Sequence, residues 1–205
     1  MTQATDFSSK ARATELPADA TPVVKLAQRD GAIALAALSL WAAADAWYAA
    51  TGLGFAALLA VLDGVAAGVV LGRLAHEWGH FAGARWSGGI APTLPIRSFF
   101  PIFNLDMAAS SAHAFRAMSV CGNVGHWLLV LLLATCLPLD TAGRAALLSG
   151  AFGFAISAST TEFPIIQRAF SGASPAESFK GLSGAILRRN QWIGAGVGLL
   201  LFLAL

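Results

Sequence analysis

His76-Glu77-Trp78-Gly79-His80 places two imidazoles and a carboxylate within five consecutive residues. On a helix, residues four apart share a face, so His76 and His80 can offer nitrogens to one metal ion, with Glu77 in reach of a water in that ion's open position. The chemistry this permits is zinc-assisted hydrolysis, in which the metal acidifies the water, Glu77 takes its proton as general base, and a carbonyl is attacked. A chance match in a helix is the competing explanation, with the three side chains merely hydrogen-bonding neighbouring helices. The surroundings count against it. The motif sits inside a run that reads as membrane-spanning, where three costly side chains need a common partner.

Catalytic zinc commonly has three protein ligands, and His, His and carboxylate is one established set. Of the four glutamates, Glu15 and Glu177 lie in polar segments, which leaves Glu162 as the expected third ligand beside the base Glu77. A helix-end glutamate snorkelling to the membrane surface near Thr160, Thr161 and Pro164 is the plainer alternative, and Asp106, in a polar loop, is the rival ligand. His126 lies inside a later apolar run beside Gly122, Asn123 and Gly125. It is expected either to position substrate or an oxyanion, or to make an interhelical hydrogen bond. Arg73, one turn before Glu77, is within reach of an ion pair with it, but its long stem is expected rather to reach elsewhere in the bundle. His113 follows Ser110 and Ser111 and reads as a surface residue.

The elements that must position these residues are read from composition. Of the 205 residues, 57% are hydrophobic and 12% charged, and the mean hydropathy is +0.67, outside the balance of a soluble domain. A formal net charge of +2, scattered between apolar runs, excludes a nucleic-acid partner. Cys121 and Cys136 fall on one predicted span about 22 Å apart and cannot pair along it. Neither lies in a CxxC motif. The Gly181-Leu182-Ser183-Gly184 sequence resembles a serine-protease GxSG, but no histidine follows it to complete a dyad.

Five apolar segments are expected to cross a membrane: Gly31 to Ala50, Phe55 or later to Ala84, Ala117 to Leu137, Ala145 to Phe163, and Trp192 to Leu205. The second exceeds one crossing and is expected to tilt, or to break near Asp63-Gly64. Residues 1–30 read as a polar cytosolic tail with an interfacial portion near Val23 to Gln28, and residues 31–205 as one membrane-embedded metalloprotease-like domain. Basic residues alternate by loop. The tail carries Lys10, Arg12, Lys25 and Arg29; the second connection carries Arg85, Arg97 and Arg116; the third has Arg144 alone; the fourth has Arg168, Lys180, Arg188 and Arg189. The excess of positive charge on cytosolic loops then puts the N-terminus in the cytosol and brings the second and fourth spans inward together, with Glu162 near the depth of His76 and His80. The expected fold class is all-α and polytopic, with about five transmembrane helices and a membrane-associated loop or hairpin after the second.

The segment His76-Glu77-Trp78-Gly79-His80-Phe81-Ala82-Gly83-Ala84-Arg85-Trp86-Ser87-Gly88 resembles the HExGHxxxAxxxG helix of the site-2 protease family, the zinc intramembrane metalloproteases. Arg116-Ala117 followed by Cys121-Gly122-Asn123-Val124-Gly125-His126-Trp127-Leu128-Leu129 is similar to a second family segment, with His126 where the family carries Asn. Gly89 to Phe115 is similar to the family's membrane-associated hairpin region. The family's distal LDG motif, whose Asp is the third zinc ligand, has no counterpart around Thr161-Glu162-Phe163-Pro164. The chain's one LDG, Leu62 to Gly64, precedes the HEWGH helix. The resemblance implies a zinc-dependent endopeptidase that cleaves transmembrane segments of single-span membrane proteins near the cytosolic face, with Glu162 replacing the Asp. The alternative is a non-catalytic membrane binding or scaffold protein derived from such a protease. Zn2+ is the expected cofactor, single-span proteins and membrane lipids the expected partners, and a bacterial inner membrane the expected location.

Overall fold

The computed structural model describes residues 20–205, and among these the chain is all-helical. Six helices follow in order: α1 Val23–Thr51, α2 Gly54–Trp86, α3 Ala112–Cys136, α4 Ala142–Phe170, the single turn α5 Pro175–Ser178, and α6 Gly184–Ala204. Three of them, α1, α2 and α3, are long and apolar enough to cross a membrane. Leucines on their outer faces are exposed, among them Leu35, Leu40, Leu58, Leu62, Leu128 and Leu131, as expected of surfaces that meet lipid and not water.

Of the five expected spans, α4 and α6 are long enough at 29 and 21 residues but fall outside that apolar set. For α4 the reason is its place in the bundle. It packs against α2, α3 and α6, and every residue from Ala145 to Ala151 is buried. A helix enclosed by protein can carry small residues where a lipid-facing one needs large apolar groups.

Several boundaries differ from the sequence expectation. Helix α1 starts at Val23, so the supposed interfacial stretch is its first two turns, and the end of the supposed tail is helical; residues 1–19 lie outside the described residues. Helix α2 is unbroken through Asp63-Gly64, because Gly64 faces α4 at the Gly143 carbonyl and gives close contact without a kink. Helix α3 begins five residues before Ala117, capped by the Ser111 hydroxyl accepting from the Ala114 N–H. Helix α6 begins at Gly184, capped in the same way by Ser183, with Asn190 buried.

Small residues set the helix crossings. Gly64, Gly68 and Gly72 recur every four residues and turn one stripe of α2 against α4, which runs parallel to it. Further along, Gly79 and Gly83 press the same helix against α3 at Cys121 and Ala117. Each approach is so close that an added Cβ would run into backbone or side chain of the neighbour. The glycines Gly194 and Gly198 of α6 lie on α4 at Gly153, inside the bundle.

The segment between α2 and α3 folds as an irregular hairpin. Backbone bonds join Leu94 to Ile102, Asn104 to Pro92 and Asp106 to Ile90. Ile102, Phe103 and Leu105 are buried against Leu26, Phe81 and Phe115. Arg29 on α1 holds the tip through the carbonyls of Ile96 (3.0 Å) and Ser98 (2.8 Å). Its neighbour Asp30, buried, accepts from Trp78 Nε1 at 2.9 Å. Helix α1 thereby ties the hairpin to the helix that carries the HEWGH motif.

Candidate metal centre

Helices α2 and α4 run in the same direction with a constant offset, so the last third of each reaches the same level. His76 and His80 stand one turn apart on α2, and Glu162 faces them from α4. Their donor atoms form a nearly equilateral triangle: His76 Nε2 to His80 Nε2 3.1 Å, His76 Nε2 to Glu162 Oε1 3.1 Å, and His80 Nε2 to Glu162 Oε1 3.0 Å. Among the described residues this is the group able to hold a metal ion. Tetrahedral zinc with N and O donors at 2.0–2.1 Å sets its ligand atoms about 3.3 Å apart, so the three donors fit with adjustments of a few tenths of an ångström.

The outer hydrogen bonds fit as well. His80 Nδ1–H donates to the Met118 carbonyl at 2.8 Å, which leaves Nε2 as the bare nitrogen at the corner. His76 Nδ1 lies 3.1 Å from His126 Nδ1. With His76 Nε2 turned to the corner, Nδ1 carries the proton and donates to His126, whose own proton is then on Nε2 and points to Ser159 Oγ, 3.3 Å away. Ser159 donates to Asn123 Oδ1 at 3.0 Å and accepts from Trp127 Nε1 at 3.0 Å. Asn123 Nδ2 donates to Glu162 Oε2 at 2.7 Å. Every donor meets an acceptor, and the arc that leaves one histidine returns to the carboxylate. His126, Asn123 and Ser159 are all buried.

Glu77 faces the same corner and lines both cavities that open on it. Its Oε1 accepts from Arg73 Nη2 at 2.9 Å, so Arg73 takes the ion pair its spacing permits and not the more distant contact expected for its stem. The guanidinium carbon of Arg73 lies 4.8 Å from the centroid of the Phe100 ring, so the hairpin covers one face of that ion pair.

Of the two roles expected for His126, the interhelical hydrogen bond is present: it stands behind His76 with no exposed surface, lines neither cavity, and meets His76 of α2 and Ser159 of α4. Asp106 is absent from the donor group; its Oδ1 caps the Ala108 and Ala109 N–H groups in its own loop. Asn123, Ser159 and the Met118 carbonyl were not singled out in the sequence. Asn123 and Ser159 were open to detection as polar residues within apolar helices, whereas a backbone carbonyl carries no sequence signal at all.

The larger cavity, about 870 Å³, is a groove with α4 as its floor and α2 and α6 as its sides. Valines 61, 65 and 69 line one side and Leu199 and Phe202 the other, with Ser149, Gly150, Gly153 and Ser157 below. The smaller, about 240 Å³, lies towards the hairpin and α5. The chain matches no family model, no curated protein and no solved structure.

Proposed function

We propose that the chain is a zinc-dependent intramembrane endopeptidase that cuts transmembrane segments of single-span membrane proteins near the cytosolic face. The observation that carries this reading is the three-donor corner of His76, His80 and Glu162, with Glu77 beside it, at the end of an apolar groove in a membrane helix bundle.

His76, His80 and Glu162 would hold the zinc, and the ion would supply a Lewis acid that polarises a carbonyl and makes water acidic near neutral pH. The remaining work falls to the chain's own residues. Glu77 takes a proton from the attacking water and returns it to the leaving amine. Arg73 holds one carboxylate oxygen of Glu77, which orients the other. The arc through His126, Ser159 and Asn123 keeps His76 and Glu162 turned to the corner.

The groove suits the substrate. From Val61 to Glu77, α2 rises about 24 Å, most of the hydrocarbon thickness, and its apolar sides accept an apolar segment. A helix must unwind before one of its peptide bonds can be attacked, and Ser157, Thr161 and Gln191 on the groove walls offer partners to the freed backbone groups. The proposed topology has five spans, α1 to α4 and α6, with the N-terminus in the cytosol. Arg85, Arg97, Arg116, Arg168, Lys180, Arg188 and Arg189 flank the end of the bundle that carries the site, and Arg144 alone marks the other.

Zinc-loaded protein in lipid nanodiscs, given a synthetic single-span peptide, tests this. Wild type should cleave it, and Glu77→Gln should lower the rate at least 100-fold while retaining one zinc per chain and an unchanged melting temperature. Full activity in Glu77→Gln overturns the mechanism. A purified chain that binds no zinc supports the non-catalytic binding protein instead.

A further inference from the structure

The two cavities share three wall residues, Glu77, His80 and Glu162, and no others. A peptide bond brought to the donor corner therefore has one flank in the long groove and the other in the small pocket by the hairpin. We infer that this small pocket is a specificity subsite that takes one large apolar side chain, of the size of Leu, Met or Phe, from the residue following the groove-bound segment across the scissile bond. The inference rests on the proposed function and adds to it the identity of a residue the enzyme selects.

The wall chemistry supports this choice. Beyond the shared site residues the pocket is lined by Phe103, Leu105, Met107, Met118, Ile166 and Phe179, with Asn104 and Ser119 as its polar members and no Lys or Arg. A charged side chain entering it would lose water and, apart from the corner itself, find no counter-charge. A volume of about 240 Å³ exceeds the roughly 150 Å³ that accommodates a benzene ring in a protein interior, leaving room for adjoining main chain. Each side of the pocket comes from a different element. Phe103, Leu105 and Met107 belong to the hairpin, Met118 to α3, Ile166 to α4, and Phe179 follows α5. Phe179 is fixed by an edge contact with Phe115, their centroids 5.8 Å apart, and Met118 by the helix whose carbonyl anchors His80. The hairpin and α5, which contribute nothing to the donor corner, thus acquire a task in substrate choice.

The experiment uses zinc-loaded protein in nanodiscs and a series of single-span peptides that differ at one position, Ala, Leu, Phe or Asp, with the cut located by mass spectrometry. Wild type should cut Phe and Leu peptides at least 10-fold faster than Ala, since one methylene in an apolar pocket already discriminates about 10-fold or more, and Asp should be the poorest. Ile166→Trp, which fills the pocket, should reverse the order in favour of Ala. Met107→Trp, at an exposed hairpin position, should do the same and serves if Ile166→Trp does not fold. Cleavage that continues in these variants with an unchanged order overturns the subsite and leaves the protease reading intact. Failure of the wild-type holoenzyme to cut any peptide overturns both.

Discussion

His126 Nδ1 lies 3.1 Å from His76 Nδ1, so the nitrogen of His76 that faces away from the donor corner is held by a histidine from another helix. Removing that partner leaves a buried N–H unsatisfied and frees the His76 ring to turn. His126→Ala is expected to weaken zinc binding by 10–100-fold, the usual loss when the support of a metal ligand is deleted. Competition with a chromophoric chelator measures it, and an unaltered affinity would remove His126 from the site.

Asn123 and Ser159 act on the other end of the same arc, through Glu162 Oε2. Each alanine variant should weaken zinc binding on its own. The double variant should cost less than the sum, because either change already opens the arc. Additive losses in the same competition assay would mean that the two residues serve the site separately.

The donor corner was legible in the sequence because metal ligands are ionisable, and ionisable groups stand out in apolar runs. Glu162 could be paired with His76 and His80 from charge counting alone, since the alternation of basic loops has the second and fourth apolar segments running the same way to one level, and α2 and α4 do run parallel. The start of α1 was not legible. Lys25, Gln28, Arg29 and Asp30 lower the hydropathy of its first turns, yet Asp30 is satisfied by Trp78 and Arg29 by hairpin carbonyls, contacts between residues about 50 to 70 positions apart. The hairpin bonds were hidden for a similar reason: they join backbone groups, whose pairing leaves no mark on residue type. The role of His126 was half legible, since burial in a span could be read but not the neighbour it would meet.

Gly68 crosses α4 where an added Cβ would strike backbone at Leu147 and Ala151, whereas Gly196 has nothing within 4 Å. Gly68→Ala is therefore expected to destabilise the protein by about 1–3 kcal/mol through overpacking. Gly196→Ala should be neutral or stabilising by up to about 1 kcal/mol from helix propensity. Thermal unfolding in detergent compares the two. Equal melting temperatures would deny the close α2–α4 crossing.

At the far end of the bundle, buried Asp45 on α1 accepts from Thr141 Oγ1 at 2.6 Å and Arg144 Nε at 3.0 Å, tying α1 to the start of α4. Asp45→Ala should lower stability by about 1–3 kcal/mol, the net worth of hydrogen bonds made to a charged group. Zinc content should stay at one per chain, because the donor corner lies near the other end of α4. Loss of zinc in a folded Asp45→Ala protein would show that the two ends are coupled.

The sequence separation of 82 between His80 and Glu162 sets an order of events during synthesis. A chain that has emerged only through α3 owns both histidines, and His126 and Asn123 behind them, but lacks the carboxylate that completes the donor set. The three-donor set is complete only once α4, the helix that also forms the groove floor, is in place. On the proposed function, a nascent chain would be kept from cutting its neighbours in the membrane until the groove has been built.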